Sequence, residues 1–138
     1  MIINGENLLL GRVASIVAKK SLEGEDIVIV NCEKMLVSGS KEYNLADAKL
    51  VLELGEPRWG PFPQRRPAMF VKRVIRGMVP YRTLRGKEAM KRINCLNKMP
   101  KEYEGKEFAV LPKTDVSKLK INKYVSVGRM CQAMGGRV

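Results

Sequence analysis

Histidine is absent from the 138 residues, and with it go the commonest general base, the commonest metal ligand and every Ser/His or Cys/His catalytic pair. Cysteine is scarce. Cys32, Cys95 and Cys131 are odd in number and far apart, which suits neither a disulfide framework nor a paired-ligand zinc site and predicts reduced, buried thiols. No apolar run approaches the length of a membrane span, and the basic helices described below are short and lack the large aromatic face of an interfacial helix, so no membrane partner is expected. The opening MIINGENLLL lacks a basic start, an apolar stretch and a small-residue cleavage site, so the expected compartment is the cytoplasm. Repeats and low-complexity tails are missing too, and 138 residues at 45% hydrophobic and 29% charged fit a single soluble α/β-sized domain with a real core.

Acid is nearly missing from one stretch. The net charge of +12 makes polyanions plausible partners without locating them. Residues 1–57 carry six Lys or Arg against nine acids, residues 58–92 carry eleven against Glu88 alone, and residues 93–138 carry nine against four. A solvated charged face usually mixes signs. A block this one-sided, behind a mildly acidic front half, is the pattern of a scaffold with a polyanion-binding face.

The front half reads as strand, helix, strand. Met1, Ile2 and Ile3 precede the turn-prone Asn4-Gly5, and a helical period starts near Asn7, with Leu9, Val13, Ile16 and Val17 on one face and Arg12, Ser15 and Lys19 on another. Gly24 marks its end. Ile27-Val28-Ile29-Val30 is an unbroken β-branched run, as expected of a parallel strand covered on both faces, and a right-handed crossover would set the two strands side by side. Met35–Val37 is a further short apolar element, Ser38-Gly39-Ser40 a turn, and residues 45–54 a helix with Leu45, Ala48 and Leu52 inward. Gly11 is expected to permit close packing against a neighbour.

Residues 55–67, GEPRWGPFPQRRP, hold four of the seven prolines with Trp59, Phe62, Arg58, Arg65 and Arg66, which predicts an extended arm able to contact RNA. Pro67 as a first helical residue and Gly77 as a terminator frame a helix with the apolar stripe Phe70, Val71, Val74, Ile75 and the cations Lys72, Arg73 and Arg76 opposite. After Met78-Val79-Pro80 comes the basic loop Tyr81-Arg82-Thr83-Leu84-Arg85-Gly86, then a second helix with Lys87 and Lys91 one turn apart, Arg92 beside them, and Met90 and Ile93 inward. Lys and Arg facing phosphates displace condensed counterions, and the arginine fork grips phosphate oxygens in pairs and stacks on bases. Arg76, beside Gly77, could instead cap helix carbonyls. Phe108–Leu111 and Lys123–Val127 are strand candidates, and Arg129–Met134 a short helix closed by Gly135-Gly136.

Other chemistries are poorly served. Gly5 and Gly11 alone do not make a dinucleotide fingerprint, and no GxxxxGK[ST] cradle is present. Asp26, Glu33 and Asp47 could serve a metal-dependent nuclease only through metal-bound water, and nothing groups them. No cofactor, metal or small-molecule substrate is expected. Two non-enzymatic readings remain beside that last-ranked nuclease: a ribosomal component, and a free-standing RNA-binding regulator.

GRVASIVAKKSLEG (Gly11 to Gly24), IVIVN (Ile27 to Asn31), VSGSK (Val37 to Lys41) and above all RRPAMFVKRVIRGMVPYRTLRGKEAMKRI (Arg65 to Ile93) resemble the universal large-subunit ribosomal protein thirteen family across nearly the whole chain. GPFPQRRP and MPKEYEG (Met99 to Gly105) are similar to archaeal and eukaryotic members, and the lack of a long C-terminal helical extension favours the archaeal type. The resemblance implies a three-layer α/β/α fold with a mainly parallel sheet of about four strands. It also implies binding to large-subunit ribosomal RNA beside neighbouring ribosomal proteins, and no catalysis. By position it implies RNA contacts at Arg65, Arg66, Arg76, Tyr81, Arg82, Arg85 and Lys87, with Lys41 secondary.

Overall fold

A computed structural model describes residues 1–56 and 58–137; Pro57, within the expected arm, and Val138 lie outside the described residues. The chain runs β1 (Ile2–Asn4), α1 (Leu10–Glu23), β2 (Ile27–Val30), β3 (Leu36–Ser38), α2 (Lys41–Glu53), α3 (Pro67–Gly77), α4 (Leu84–Lys91), β4 (Ile93–Cys95), β5 (Tyr124–Ser126) and α5 (Val127–Ala133).

β1, β2 and β4 form a parallel sheet in that order, with Ile3 beside Ile29 and Ile27 beside Ile93. β3 and β5 form a separate antiparallel pair. The fold is therefore α/β with mainly parallel strands, three in the parallel sheet and two in the antiparallel pair. Both crossovers step the same way across it, so right-handed connections place α1 and the α3–α4 pair on one face, where α1 touches both. Ile3, Ile27, Ile29 and Ile93 point under these helices and are fully buried beside Val13, Val17, Val71 and Ile75. Each such side chain contributes roughly 1.5–3 kcal/mol by burial. The opposite face is only partly covered: Ile2 and Val28 are half-buried and Asn94 is exposed. Val30 on that face is fully buried, so the expectation of a strand buried on both sides holds for β2 except at the half-buried Val28; an irregular segment lies beyond β1, its Ala109 amide donating to the Ile2 carbonyl at 2.8 Å.

Local chemistry sets the helix ends. Gly24 ends α1 at φ 106°, its amide donating back to the carbonyls of Lys20 and Ser21, the left-handed cap that glycine adopts at no steric cost. Ser40 caps α2, Pro67 opens α3, and Ser126 caps α5. Inside α2, Ala48 is buried while Leu45 and Leu52 pack against the core. α1 starts three residues later than its period suggests, because Leu8 and Leu9 are extended: the Leu9 amide donates to Thr114, and Leu8 accepts from the Leu36 amide.

Four further expectations are corrected. Gly11 is exposed, with nothing within 4 Å of where a Cβ would stand, so it permits no close packing. Ile93 is fully buried and Met90 packs against the core, as expected, but Ile93 opens β4 rather than closing a helix, and Gly86 and Ala89 are the buried residues of α4. Phe108–Leu111 forms no strand; Val110 is 93% exposed while only Leu111 is buried. Cys32 and Cys131 are buried free thiols, but Cys95 is only half-buried. The Cys32 thiol donates to the Ile29 carbonyl at 3.6 Å; the neighbouring Cys95 and burial raise it, whereas Cys32 and then the Lys72 charge lower the Cys95 thiol against the opposing effect of burial. Burial alone pushes Cys131 up to about 11.

Candidate nucleic-acid interface

The cationic surface is built on α3, the turn at residues 78–83 and α4. Val71 and Ile75 anchor α3, with Phe70 and Val74 partly buried beside them, so the helix axis is fixed and its outer side chains have defined positions. Thr83 locks the turn: its Oγ1 donates to the Pro80 carbonyl at 2.8 Å and accepts from the Gly86 amide at 3.2 Å, capping α4. Gly86 is buried so tightly that a Cβ there would overlap the Pro80 carbonyl oxygen. The loop is thereby pressed against the first turn of α4.

Tyr81 and Arg82 stand on this braced loop. The Arg76 guanidinium, from the last turn of α3, lies 5.1 Å from the Tyr81 ring centroid, and that of Arg82 lies 6.0 Å from it. Arg76 therefore stacks on Tyr81 rather than capping α3. Arg82 first, then the Arg76 charge, holds the Tyr81 phenol below the ordinary tyrosine value. The ring is 39% exposed, so two cations and an aromatic edge face solvent together.

The other predicted contacts divide by what they touch. Arg58, Arg65, Arg66, Lys87 and Lys91 are exposed. Lys72 points the other way, its Nζ donating to the Ile93 carbonyl at 2.7 Å, so it ties α3 to β4 and is not part of an outer cationic face. Arg73 donates to the Phe62 carbonyl at 3.1 Å and holds the arm to α3. Arg85 and Arg92 reach the Leu22 and Ser21 carbonyls at 3.3 and 3.5 Å, where cations complement the C-terminus of α1. Lys41 is exposed at the start of α2 beside Lys123 and Tyr124, apart from the α3–α4 surface. On the arm, Trp59 is 82% and Phe62 65% exposed, a disposition open to base stacking.

The described residues contain two ion pairs, Lys20–Glu25 and Lys34–Glu6, and neither involves the block at 58–92. No group of three or more His, Cys, Asp or Glu able to hold a metal forms among the described residues, and no helix is long and apolar enough to cross a membrane.

The sequence profile of ribosomal protein L13 matches residues 1–102. The chain belongs to the ribosomal protein L13 family. The archaeal large ribosomal subunit proteins uL13 of Methanococcoides burtonii and Methanosarcina barkeri are 38% and 39% identical over 136 and 137 residues, in each case 99% of this chain and 98% of theirs. That of Saccharolobus solfataricus is 38% identical over 140 residues, 98% of this chain and 92% of its own. The family is one of structural ribosomal proteins, not enzymes.

In this L13 family member the matched stretch contains the arm, α3, the Tyr81 loop and α4. Two features of the site were not among those expected from sequence, one with a local signal and one without. Thr83 was legible, since a threonine immediately before a helix is a capping signal. Arg137 was not: it follows Gly136, which passes so close to the Arg65 carbonyl that a Cβ would overlap it, and this brings an exposed cation to the arm from the far end of the chain.

Proposed function

We propose that the protein is a constituent of the large ribosomal subunit that binds folded large-subunit ribosomal RNA, stabilises it and supports its assembly. Its role is mechanical and electrostatic. The observation that carries this reading is the cation block without ion pairs, Arg76 and Arg82 flanking Tyr81 on a rigid turn, in a chain whose full-length relatives are large-subunit proteins. Exposed Arg58, Arg65, Arg66, Lys87 and Lys91 extend the surface for phosphate, and Trp59 and Phe62 offer faces for splayed bases. Lys72, Arg73, Arg85 and Arg92 then act mainly by holding α1, α3, α4, β4 and the arm in register, and the fold at 1–138 works as one RNA-binding domain with its arm at 55–67.

The experiment is sedimentation of native lysate on sucrose gradients before and after a high-salt wash, with the protein located by antibody. Retention with the large subunit through the wash supports an integral component of the cytoplasmic ribosome. Migration near the top of both gradients overturns it.

A further inference from the structure

The outer face of α2 is apolar where a solvated helix would be polar. Tyr43 is 71%, Leu50 54% and Leu54 53% exposed; at spacings of seven and four residues they form one stripe. Tyr43, Ala46 and Leu50 line a shallow depression of about 470 Å³, with Asp47, Lys49 and Glu53 on its rim. The inner face of the same helix already packs Leu45, Ala48 and Leu52 on the core, so α2 is apolar on both sides, as a helix covered on both sides would be. Asp47 and Glu53 are exposed and form no ion pair among the described residues.

We infer that this face of α2 docks a protein segment of another large-subunit component, one that places an apolar side chain between Tyr43 and Leu50 and presents Lys or Arg to Asp47 and Glu53. The inference rests on the ribosomal reading above. RNA is a poor occupant, because two carboxylates against the single Lys49 on the rim leave a net negative charge facing phosphates. A basic and apolar protein segment meets both features: it removes the stripe from water and pairs the acids.

Photocrosslinking in assembled particles tests it. The full chain carrying Tyr43→p-benzoylphenylalanine, which keeps an aromatic ring, is expressed in cells, large subunits are purified, and crosslinked peptides are identified. The expected adduct is on a ribosomal protein segment containing Lys or Arg next to an apolar residue, and it should be lost when Asp47→Lys and Glu53→Lys are added. If the protein sediments with large subunits but the crosslink falls on ribosomal RNA, on a second copy of the chain or on nothing, the docking proposal is overturned while the ribosomal reading stands. A protein adduct that persists in the charge-reversed variant overturns the paired-acid recognition. Absence of the protein from large subunits overturns both readings together.

Discussion

Tyr81 supports two guanidinium groups on one exposed ring, and its phenol reports on them. With the Arg82 and Arg76 guanidinium groups beside it, the folded phenol ionises below the ordinary value of 10.0. The linked stabilisation is therefore complete above the unfolded value and lost as pH falls through the folded one. Ultraviolet titration of tyrosinate should show a first step that disappears in Tyr81→Phe and moves upward in Arg82→Ala; superimposable curves would refute the pairing. The cysteines offer a second reading at this scale. The lowered, half-buried Cys95 thiol should be alkylated by iodoacetamide before Cys131, which burial holds up to about 11, and before Cys32, whose proton is retained by Cys95 and burial. Mass mapping of a time course decides it, and equal rates at the three sites would contradict the geometry.

At the scale of elements, the brace between the Tyr81 loop and α4 depends on Gly86 having no side chain. Gly86→Ala should cost about 1–3 kcal/mol by overpacking, read as a lowered urea midpoint with an unchanged slope. Lys72→Ala should also act on stability, by roughly 1–3 kcal/mol for a charged hydrogen bond, whereas Arg76→Ala with Arg82→Ala should weaken RNA binding and leave the far-ultraviolet circular dichroism spectrum unchanged. The contrast shows how far the sequence could be read. Periodicity, Pro67 and the glycines delimited α1, β2 and α3 within a few residues, because their signals are local. Periodicity placed Lys72 with Arg73 and Arg76 because angular position on a helix cannot show which carbonyl a long side chain reaches; the Ile93 carbonyl comes from a strand 21 residues onward. β4 itself was illegible, since Met90 and Ile93 stand at helical spacing and three residues are too few to display alternation. The contact between Gly136 and Arg65 is tertiary and had no local signal at all.

Across the whole molecule, the cationic excess is concentrated on the arm, α3 and α4, which carry Glu56 and Glu88 as their acids, whereas α2 exposes Glu42, Asp47 and Glu53 against Lys41 and Lys49. If binding is directional, its salt dependence must follow the cationic surface and not the net charge of +12. For about six neutralised phosphates, log K should fall against log salt with a slope of roughly −4 to −5, between the single-strand and duplex coefficients. Replacing Arg65, Arg76 and Arg82 by alanine should make the slope shallower by roughly 2–3, about 0.7–0.9 for each contact removed. Asp47→Lys with Glu53→Lys adds four units of positive charge, more than the triple variant removes, but on α2. Filter binding to large-subunit RNA fragments across a salt series compares the two. The α2 variant should keep the parent slope while the triple variant loses it; a steeper slope for the α2 variant would mean that RNA senses the molecule's total charge, and the α3–α4 surface would lose its claim to be the interface.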